Sequence, residues 1–446
     1  MEKNTKEISN GVKIHFIGIG GIGVSALAQY YLSQGHKVSG SDLKSSEITK
    51  ALKKRGAKVF IGPHKGSNLG YLPDLVIYSP AVKPDNPEFK KARKVKIKLQ
   101  SYPQALGKLT KQHFTIAISG THGKSTTTCM LGLVLMKAGF DPTIIVGTKM
   151  KEFKDSNCRV GKSKYLVIEA DEHFASFLNY WPKIIVLTNI EKDHLDYYKN
   201  FGNILKAFRK YVSHLPKDGI LLLNKDDESI KKISCSALKK YYSLKQTEAK
   251  KLKKILKVPG QHNVSNALAA LTVARILKIP DKVSFKALSS YMGCWRRFEI
   301  KKMIIKKKPL TVVSDYGHHP TEIKATLKAT REKFLKSRIW CVFQPHQYQR
   351  TYYLFKDFVR AFREAPIDKI IITDIFDVAG REKKNIKKKV SSKKLVKSIK
   401  KGNIVYLAKE KLLGFIKSNI KEIDVLIIMG AGNIYQLVSK LDKKGK

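Results

Sequence analysis

Cysteine is scarce in this sequence, and long apolar runs are missing. Only five of its 446 residues are Cys, widely spaced and without a Cys-x-x-Cys pair, which argues against a disulfide framework or a cysteine metal site. No apolar run approaches the ~18 residues that a membrane span needs. The first ten residues are polar and mixed in charge, which predicts no signal peptide. We therefore expect a cytoplasmic, globular protein with reduced cysteines and no membrane partner.

Acidic residues are scarce as well. Asp and Glu number 36 against 87 Lys and Arg, which gives a formal net charge of +51. Such an excess is typical of nucleic-acid binding, because phosphate contacts dominate it. However, only 13 of the basic residues are Arg, and the Lys residues are spread along the chain. We interpret the charge as a solvated surface and expect no nucleic-acid partner; a basic nucleic-acid ATPase is the alternative.

What the sequence does contain is a phosphate-binding loop. A strand over Phe114–Ser119 leads into Gly-Thr-His-Gly-Lys-Ser at Gly120–Ser125, and a helix follows. Glycines let backbone N–H groups approach phosphate oxygens, Lys124 supplies a positive charge, and the hydroxyl of Ser125 can ligate Mg²⁺. The full pattern has one more glycine, which is absent here. The loop predicts a bound nucleoside triphosphate.

A second glycine-rich turn lies near the start of the chain. The strand Lys13–Ile17, the turn Gly18–Gly23 and a helix are followed by a strand that ends at Asp42. This is a Gly-x-Gly-x-x-Gly fingerprint with an acidic residue 19 positions after its last glycine. It predicts a pyrophosphate at a helix N-terminus but does not say which nucleotide carries it. The residues alone leave a nicotinamide-dependent oxidoreductase open.

Strands and helices alternate along the rest of the chain, which predicts an α/β fold of parallel, doubly wound sheets. Length and a hydrophobic content of 43% suffice for about three cores. We expect a Rossmann-like domain over residues 1–105, a central P-loop ATPase-like sheet over 106–294 and a second Rossmann-like domain over 295–446. Turns at His64 and Ser79 follow strands of the first domain, at the edge where ligands bind in this architecture.

Two strands after the phosphate loop end in acidic clusters. Glu169 closes one of them, and the segment with His194 follows the other. Carboxylate and imidazole at neighbouring strand ends, beside the Ser125 hydroxyl, predict a divalent-cation site. Four further carboxylates of these loops fit a metal site and ordinary surface charge about equally well: Asp171, Glu172, Asp193 and Asp196.

Amides and paired histidines mark the later part of the chain. Asn263 and Asn266 lie one turn apart at a helix start, able to reach a base or ribose, although helix capping is an ordinary role for them. In the last domain, Asp315–Glu322 and Gln344–Thr351 follow two strands. Two such clusters favour a binding or catalytic site over a structural role.

Nine short motifs occur in one order over nearly the whole chain. They are His-Phe-Ile-Gly-Ile-Gly-Gly-Ile-Gly from His15, Ser-Gly-Ser-Asp from Ser39, Ser-Gly-Thr-His-Gly-Lys from Ser119, Glu-Ala-Asp-Glu from Glu169, Thr-Asn-Ile-Glu-x-Asp-His from Thr188, Pro-Gly-x-His-Asn-x-x-Asn from Pro259, Arg-Arg-Phe from Arg296, Asp-Tyr-Gly-His-His-Pro-Thr-Glu from Asp315 and Gln-Pro-His-x-Tyr-x-Arg-Thr from Gln344. In this order they resemble the ATP-dependent Mur ligases of peptidoglycan synthesis. That family shares the shortened phosphate loop.

The resemblance implies a ligase that uses ATP and Mg²⁺ to join L-alanine to the lactyl carboxylate of UDP-N-acetylmuramate through an acyl phosphate. The first glycine-rich turn then holds the UDP of the sugar and not NAD. The nearest alternative is a murein recycling ligase that adds a preformed peptide to the same sugar nucleotide. Gln-Pro-His-x-Tyr-x-Arg favours the single-amino-acid enzyme. We expect a monomer or a weak dimer.

The resemblance also assigns roles to residues. The UDP-sugar is expected at Gly18, Gly20, Gly21, Gly23, Ser41, Asp42, His64 and Ser79. ATP is expected at Gly120, Thr121, His122, Gly123, Lys124, Ser125, Thr126, Asn263, Asn266, Arg297 and Asp315. The metal is expected at Ser125, Glu169 and His194. Catalysis is expected from Lys124, His318, His346 and Arg350, with His318 or His346 as the base that deprotonates the amine.

The chain departs from the family pattern at three places. Ser125 replaces the more usual Thr and keeps the hydroxyl. Gln347 stands where the alanine-adding ligases usually have Arg, which affects how the carboxylate of the incoming amino acid is recognised. The loop at 378–384 is more basic than the common form.

Overall fold

Three parallel-dominated sheets build the protein, which is described here from a computed structural model. The structure describes residues 11–70, 72–378 and 384–442. Most of the basic loop singled out above, residues 379–383, lies outside these ranges. Within them, no helix combines the length and the apolar character that crossing a bilayer demands.

The first sheet has five parallel strands in the order β3-β2-β1-β4-β5. Its elements are β1 (Lys13–Ile17), α1 (Ile22–Ser33), β2 (Lys37–Asp42), α2 (Glu47–Lys54), β3 (Lys58–Ile61), β4 (Leu75–Tyr78), α3 (Pro87–Lys94) and β5 (Lys98–Ser101). The order reverses beside β1, so the glycine-rich turn after β1 opens at the crevice where doubly wound sheets bind ligands.

The central sheet has seven strands in the order β12-β11-β10-β6-β9-β7-β8, and only β8 is antiparallel to its neighbour. Its elements are α4 (Tyr102–Gln112), β6 (Phe114–Ser119), α5 (Lys124–Lys137), β7 (Thr143–Met150), β8 (Ser156–Arg159), β9 (Tyr165–Glu169), β10 (Ile184–Leu187), α6 (Leu195–Tyr198), α7 (Phe201–Val212), β11 (Ile220–Asn224), β12 (Leu238–Tyr242), α8 (Thr247–Ile255), α9 (Gln261–Ile276) and α10 (Asp281–Ser290). The phosphate loop therefore follows a strand near the middle of this sheet.

The third sheet has six strands in the order β13-β14-β18-β15-β16-β17, with β13 antiparallel at its edge. Its elements are β13 (Glu299–Ile305), β14 (Lys308–Asp315), α11 (Pro320–Lys333), β15 (Ile339–Phe343), α12 (Tyr348–Tyr353), α13 (Phe355–Arg363), β16 (Lys369–Ile372), α14 (Lys384–Lys387), α15 (Ser392–Ile399), β17 (Ile404–Tyr406), α16 (Leu412–Ser418), β18 (Val425–Met429) and α17 (Gln436–Asp442). The expected three-domain α/β architecture is confirmed.

Apolar cores cover both faces of the central sheet. Along β10, Ile185 packs into one core, whereas Ile184 and Val186 pack into the other. Strands buried on both faces read as continuous apolar runs, which is why β6, β9 and β10 show so clearly in the sequence. All five cysteines are free, and four of them are buried.

Polar contacts join the central domain to the C-terminal domain. We call this contact zone the interdomain seam and define it by three pairs: His122 with Glu322, Glu191 with Thr321, and Asp193 with Arg350. The distances are 3.1 Å between His122 Nδ1 and Glu322 Oε1, 2.6 Å between Thr321 Oγ1 and Glu191 Oε2, and 3.0 Å between Arg350 Nε and Asp193 Oδ1. The seam holds the C-terminal domain directly over the phosphate loop.

Candidate active site

The phosphate loop is shaped by two glycines whose backbone lies in the left-handed region, Gly120 at φ +128° and Gly123 at φ +84°. A Cβ at Gly120 would lie 2.2 Å from Thr188 Oγ1, and one at Gly123 would lie 2.4 Å from Asn266 Oδ1. Both positions therefore require glycine. The loop leaves its backbone free to approach a ligand at the start of α5, as a phosphate cradle must.

Lys124 is held inside this loop. Its ammonium donates to the carbonyls of Gly120 at 2.7 Å and Thr121 at 3.2 Å, and to Glu172 Oε2 at 2.8 Å. Burial alone would lower the pKa of Lys124, but the carboxylates of Glu172 and its neighbours outweigh burial and raise it. Lys124 is therefore a fixed positive charge at the mouth of the loop.

Ser125 meets Glu169, as the motif pattern predicted. The hydroxyl of Ser125 donates to both oxygens of Glu169, at 3.0 and 2.9 Å, and the backbone N–H of Gly147 donates to the same carboxylate at 2.8 Å. Arg297 Nη2 lies 3.5 Å from the Ser125 hydroxyl. A hydroxyl and a carboxylate side by side supply the oxygen donors that Mg²⁺ prefers.

His194 joins a neighbouring cluster with Asp171 and Glu172, whose candidate ligand atoms all lie within 4.8 Å of one another. Burial lowers the pKa of His194 to about 3, so its ring is neutral, which is the form that ligates a metal. Burial raises the pKa of Glu172 to about 7, with Asp171 adding and Lys124 opposing. The donors thus fit a divalent cation. Glu172, whose role the sequence did not decide, links Lys124 to His194.

A cavity of about 350 Å³ opens beside the phosphate loop, a size typical of small-ligand sites. The residues predicted for ATP that line it are His122, Gly123, Ser125, Thr126, Asn263, Asn266, Arg297 and Asp315. The helix α9 begins at Gln261, earlier than the sequence indicated, and Asn263 donates back to the carbonyl of Pro259 at 2.6 Å. Asp315 accepts from the N–H groups of Phe298 and Gly317, so it also fixes the turn around it.

A second cavity, of about 330 Å³, opens at the first glycine-rich turn. It is lined by Gly21, Gly23 and Ser79 from the first domain and by Glu169 and Asp171 from the central domain. The cavity therefore runs from the predicted sugar-nucleotide turn to the carboxylate that contacts Ser125. Asp42 holds the turn from behind, accepting from the N–H of Gly20 at 2.9 Å.

Ser41 and His64 belong to a buried network around Glu88, which sequence reasoning missed. Glu88 is 0% exposed. Its carboxylate accepts hydrogen bonds from Ser41 at 2.7 Å, Asn68 at 2.7 Å, His15 at 2.9 Å and His64 at 3.1 Å. Burial alone would raise the pKa of Glu88, but these hydrogen bonds lower it to about 2. The only sequence signal was an acid in the first turn of α3, where acids are common for capping reasons.

The predicted catalytic residues of the C-terminal domain lie together. The rings of His318 and His346 are 6.0 Å apart, and Arg350 Nη1 lies 3.2 Å from His346 Nδ1. Burial lowers the pKa of His318 to about 4, although Glu322 opposes it. Burial, assisted by Arg350, lowers the pKa of His346 to about 2. Both rings are thus neutral near pH 7.

Gln347 borders the same place. It is buried, its backbone lies at φ +73°, and it lines a small pocket with Asp193, His194 and Arg350. Its side chain brings no charge, so the cations that line this pocket are Lys192 and Arg350, and Arg350 is already paired with Asp193. Position 347, where the family pattern has Arg, therefore lies at the site itself.

Comparisons with known proteins match the chain, domain by domain, to one family. Three family models match in order: the Mur ligase family catalytic domain over residues 13–114, the Mur ligase middle domain over 118–274, and the Mur ligase glutamate ligase domain over 296–432. The UDP-N-acetylmuramate--L-alanine ligase of Clostridium novyi (strain NT) is 41% identical, covering 96% of each chain. That of Caldanaerobacter subterraneus subsp. tengcongensis is 39% identical, covering 97% of this chain and 98% of the relative.

Among solved structures, UDP-N-acetylmuramate-alanine ligase MurC from Thermotoga maritima superposes with a TM-score of 0.78 at 28% identity, covering 96% of this chain and 98% of that one. A murein peptide ligase from Psychrobacter arcticus 273-4 superposes with a TM-score of 0.73 at 23% identity, over 98% of this chain and all of that one, which shows a shared fold. With three domain models covering most of its length, this chain belongs to the Mur ligase family.

Proposed function

We propose that this protein joins L-alanine to the lactyl carboxylate of UDP-N-acetylmuramate, using ATP and Mg²⁺ and forming an acyl phosphate. The observation that carries the proposal is the contact between Ser125 and Glu169. Ser125 lines the cavity beside the phosphate loop, and Glu169 lines the cavity at the first glycine-rich turn. The two cavities meet at this pair, where a sugar-linked carboxylate entering from one side reaches a terminal phosphate held on the other.

The proposal gives each domain one substrate. Residues 1–105 bind the UDP-sugar, residues 106–294 bind ATP, and residues 295–446 bind the amino acid. The relatives of about 40% identity, named as UDP-N-acetylmuramate--L-alanine ligases, match 96% and 95% of this chain, so they include all three ranges. ATP and nucleotide sugars are metabolites of the cytoplasm, where we place the reaction.

A carboxylate is a poor acyl donor, so activation comes first. Phosphoryl transfer depends mainly on positioning and charge neutralisation. Lys124 and the N–H groups of Gly120–Ser125 supply both for the triphosphate. Ser125, Glu169 and His194 would hold Mg²⁺, with Asp171 and Glu172 beside them, and the ion would neutralise phosphate charge. Arg297, close to Ser125, adds a further positive charge on the cavity wall.

The amine of L-alanine arrives as an ammonium and must lose a proton before it attacks. His318 and His346 are neutral and can accept that proton, and His318, whose pKa of about 4 is the higher, is the better base of the two. Negative charge from an acyl phosphate nearby would raise both pKa values. Arg350 is placed to meet the carboxylate of the amino acid, exchanging Asp193 for it.

The alternatives explain less of the structure. A nicotinamide-dependent oxidoreductase has no use for the phosphate loop and its cavity. A peptide-recycling ligase shares the fold, but the relatives of about 40% identity carry the name of the alanine-adding enzyme.

Phosphate release tests the proposal. The protein is incubated with ATP, Mg²⁺ and UDP-N-acetylmuramate, and with L-alanine, glycine, L-serine or the L-alanyl tripeptide as acceptor. We expect release that depends on the sugar nucleotide and is fastest with L-alanine. Faster release with the tripeptide would assign the recycling activity, and release that needs no sugar nucleotide would refute the ligase.

A further inference from the structure

Three side chains from three segments meet at the interdomain seam, and only His122 among them has an expected role, as one of the residues around ATP. They are His122 of the phosphate loop, Glu191 after β10, and His319, which caps the N-terminus of α11. One candidate ligand atom from each lies within 4.8 Å of the other two. Glu191 Oε2 is 3.6 Å from His122 Nε2 and 3.8 Å from His319 Nδ1, and the two rings are 4.7 Å apart.

The far nitrogen of each ring is fixed by an acceptor. His122 Nδ1 lies 3.1 Å from a carboxylate oxygen of Glu322, and His319 Nε2 lies 3.1 Å from the carbonyl oxygen of Lys192. An N–H at each of these positions leaves the lone pairs on His122 Nε2 and His319 Nδ1, which face Glu191. This is the arrangement by which proteins orient metal-binding histidines.

The near nitrogens lack strong protein partners. His122 Nε2 is buried and has no hydrogen-bond partner among the described residues. His319 Nδ1 receives only a long bond of 3.3 Å from the N–H of Thr321, which agrees with a deprotonated nitrogen. His319 is itself only 5% exposed. A buried ring nitrogen left without a partner is costly, and a cation bound there would remove that cost.

We propose that His122, Glu191 and His319 bind a divalent transition-metal cation of the Zn²⁺ class, separate from the Mg²⁺ donors at Ser125 and Glu169. Two imidazoles and one carboxylate are typical ligands of such cations, whereas Mg²⁺ prefers oxygen donors and octahedral geometry. His122 and Glu191 line the cavity beside the phosphate loop. Three protein ligands therefore leave a coordination position open toward that cavity.

The site spans two domains. His122 and Glu191 belong to the central sheet, and His319 begins the first helix after β14 in the C-terminal domain. A bound cation would tie α11 to the phosphate loop more firmly than the hydrogen bonds of the seam. The cation competes with a proton for His122. Burial would lower the pKa of His122, but Glu191 and Glu322 raise it to about 10. The cation must therefore displace a proton from this ring.

Cobalt provides the test, because Co²⁺ takes the place of Zn²⁺ and its visible absorption reports nitrogen ligands and low coordination number. The full-length protein is freed of metal with a chelator and titrated with Co²⁺ in excess Mg²⁺, which occupies the oxygen-rich donors. We expect a saturable band at one equivalent. His319→Asn, which keeps a capping side chain for α11, and Glu191→Gln should each weaken binding more than ~100-fold, since even the loss of an outer partner costs about 10–100-fold.

Two variants make the assignment specific. Glu322→Gln, which alters the partner of His122, should weaken Co²⁺ binding by about 10–100-fold. His214 stacks on Trp181 and its Nδ1 lies 3.0 Å from the carbonyl oxygen of Tyr180, so His214→Asn should leave the band unchanged. Circular dichroism melting confirms that each variant is folded.

Three results would overturn the proposal. No saturable band in the unaltered protein would show that a proton and not a metal occupies the cluster. A band that survives in both His319→Asn and Glu191→Gln would place Co²⁺ elsewhere. A band lost in His194→Asn but kept in His319→Asn would assign it to the cluster of Asp171, Glu172 and His194. The proposal does not depend on the ligase activity, so a failed phosphate-release assay leaves this test intact.

Discussion

Replacing Glu88 by Gln tests how the first domain holds its nucleotide turn. The carboxylate is fully buried and accepts from His15, Ser41, His64 and Asn68. A neutral amide keeps the shape but has one acceptor oxygen instead of two. At least one of the four donors must therefore lose its partner.

The magnitude follows from the shift in pKa. Hydrogen bonding overcomes burial and lowers the pKa of Glu88 from its ordinary 4.5 to about 2. A shift of one pKa unit corresponds to about 1.4 kcal/mol, so the ionised carboxylate contributes about 3 kcal/mol to the free energy of unfolding. Because the folded-state pKa is the lower one, this stabilisation is complete above pH 4.5 and is lost as the pH falls from 4.5 toward 2.

Urea unfolding followed by circular dichroism measures this contribution. Glu88→Gln should lower the free energy of unfolding by about 3 kcal/mol at pH 7. The difference from the unaltered protein should stay constant down to pH 5 and shrink by about 1 kcal/mol by pH 3.5. Affinity for UDP-N-acetylmuramate should fall too, because Ser41 and His64 lose the group that orients them.

The exposed Glu332 of α11 provides the matched control. Glu332→Gln should change the free energy of unfolding by less than ~0.5 kcal/mol, as surface substitutions generally do. A stability of Glu88→Gln equal to that of this control at pH 7 would refute the argument. So would a difference that does not change between pH 7 and pH 3.5.

Three further predictions concern catalysis. Lys124→Ala should abolish phosphate release while UDP-N-acetylmuramate still binds, as measured by calorimetry; preserved turnover would contradict the role of the loop. Gln347→Arg should lower the KM for L-alanine by about 10-fold, the effect of about 1.4 kcal/mol from an added cation at the amino-acid pocket, and an unchanged or raised KM counts against it. Because burial lowers the pKa values of His318 and His346 to about 4 and about 2, kcat/KM should persist as the pH falls below 6.5; an acidic limb centred near pH 6.5 would contradict these lowered pKa values.

The sequence predicted several strands that are buried on both faces, but it missed the edge strands β8 and β13. Strands β6, β9 and β10 are continuous apolar runs, and glycines with required left-handed backbone mark the turns between strand and helix. By contrast, β8 and β13 are antiparallel edge strands that are half polar, and β13 carries exposed Lys residues on its free side. The sequence of such a strand shows no clear alternation of polar and apolar residues, because strand preference depends on the neighbours against which the strand packs. The helix α4 was missed for a different reason, because it follows β5 without a loop.

For the site, local motifs predicted side chains that act near their own loop. Glu169 ends β9, and Ser125 lies in the helix that follows β6, the parallel neighbour of β9, so their meeting follows from the sheet order. Glu88 and Glu322 were not found, because their partners are far along the chain: His15 is 73 residues from Glu88, and His122 is 200 residues from Glu322. No spacing rule reaches that far, and only the packing of the domains brings these groups together.

The interdomain seam also has a consequence for the rate of nucleotide exchange. Its three pairs must break before the C-terminal domain can lift from the phosphate loop, and each is worth roughly 1 kcal/mol, with more for the buried pair of Arg350 and Asp193. A gap of about 4 kcal/mol leaves the lifted form about one molecule in a thousand. If the nucleotide leaves only when this face lifts, its exchange is confined to those rare openings. The frequency of opening, and not bond formation, would then set how long a spent nucleotide stays bound.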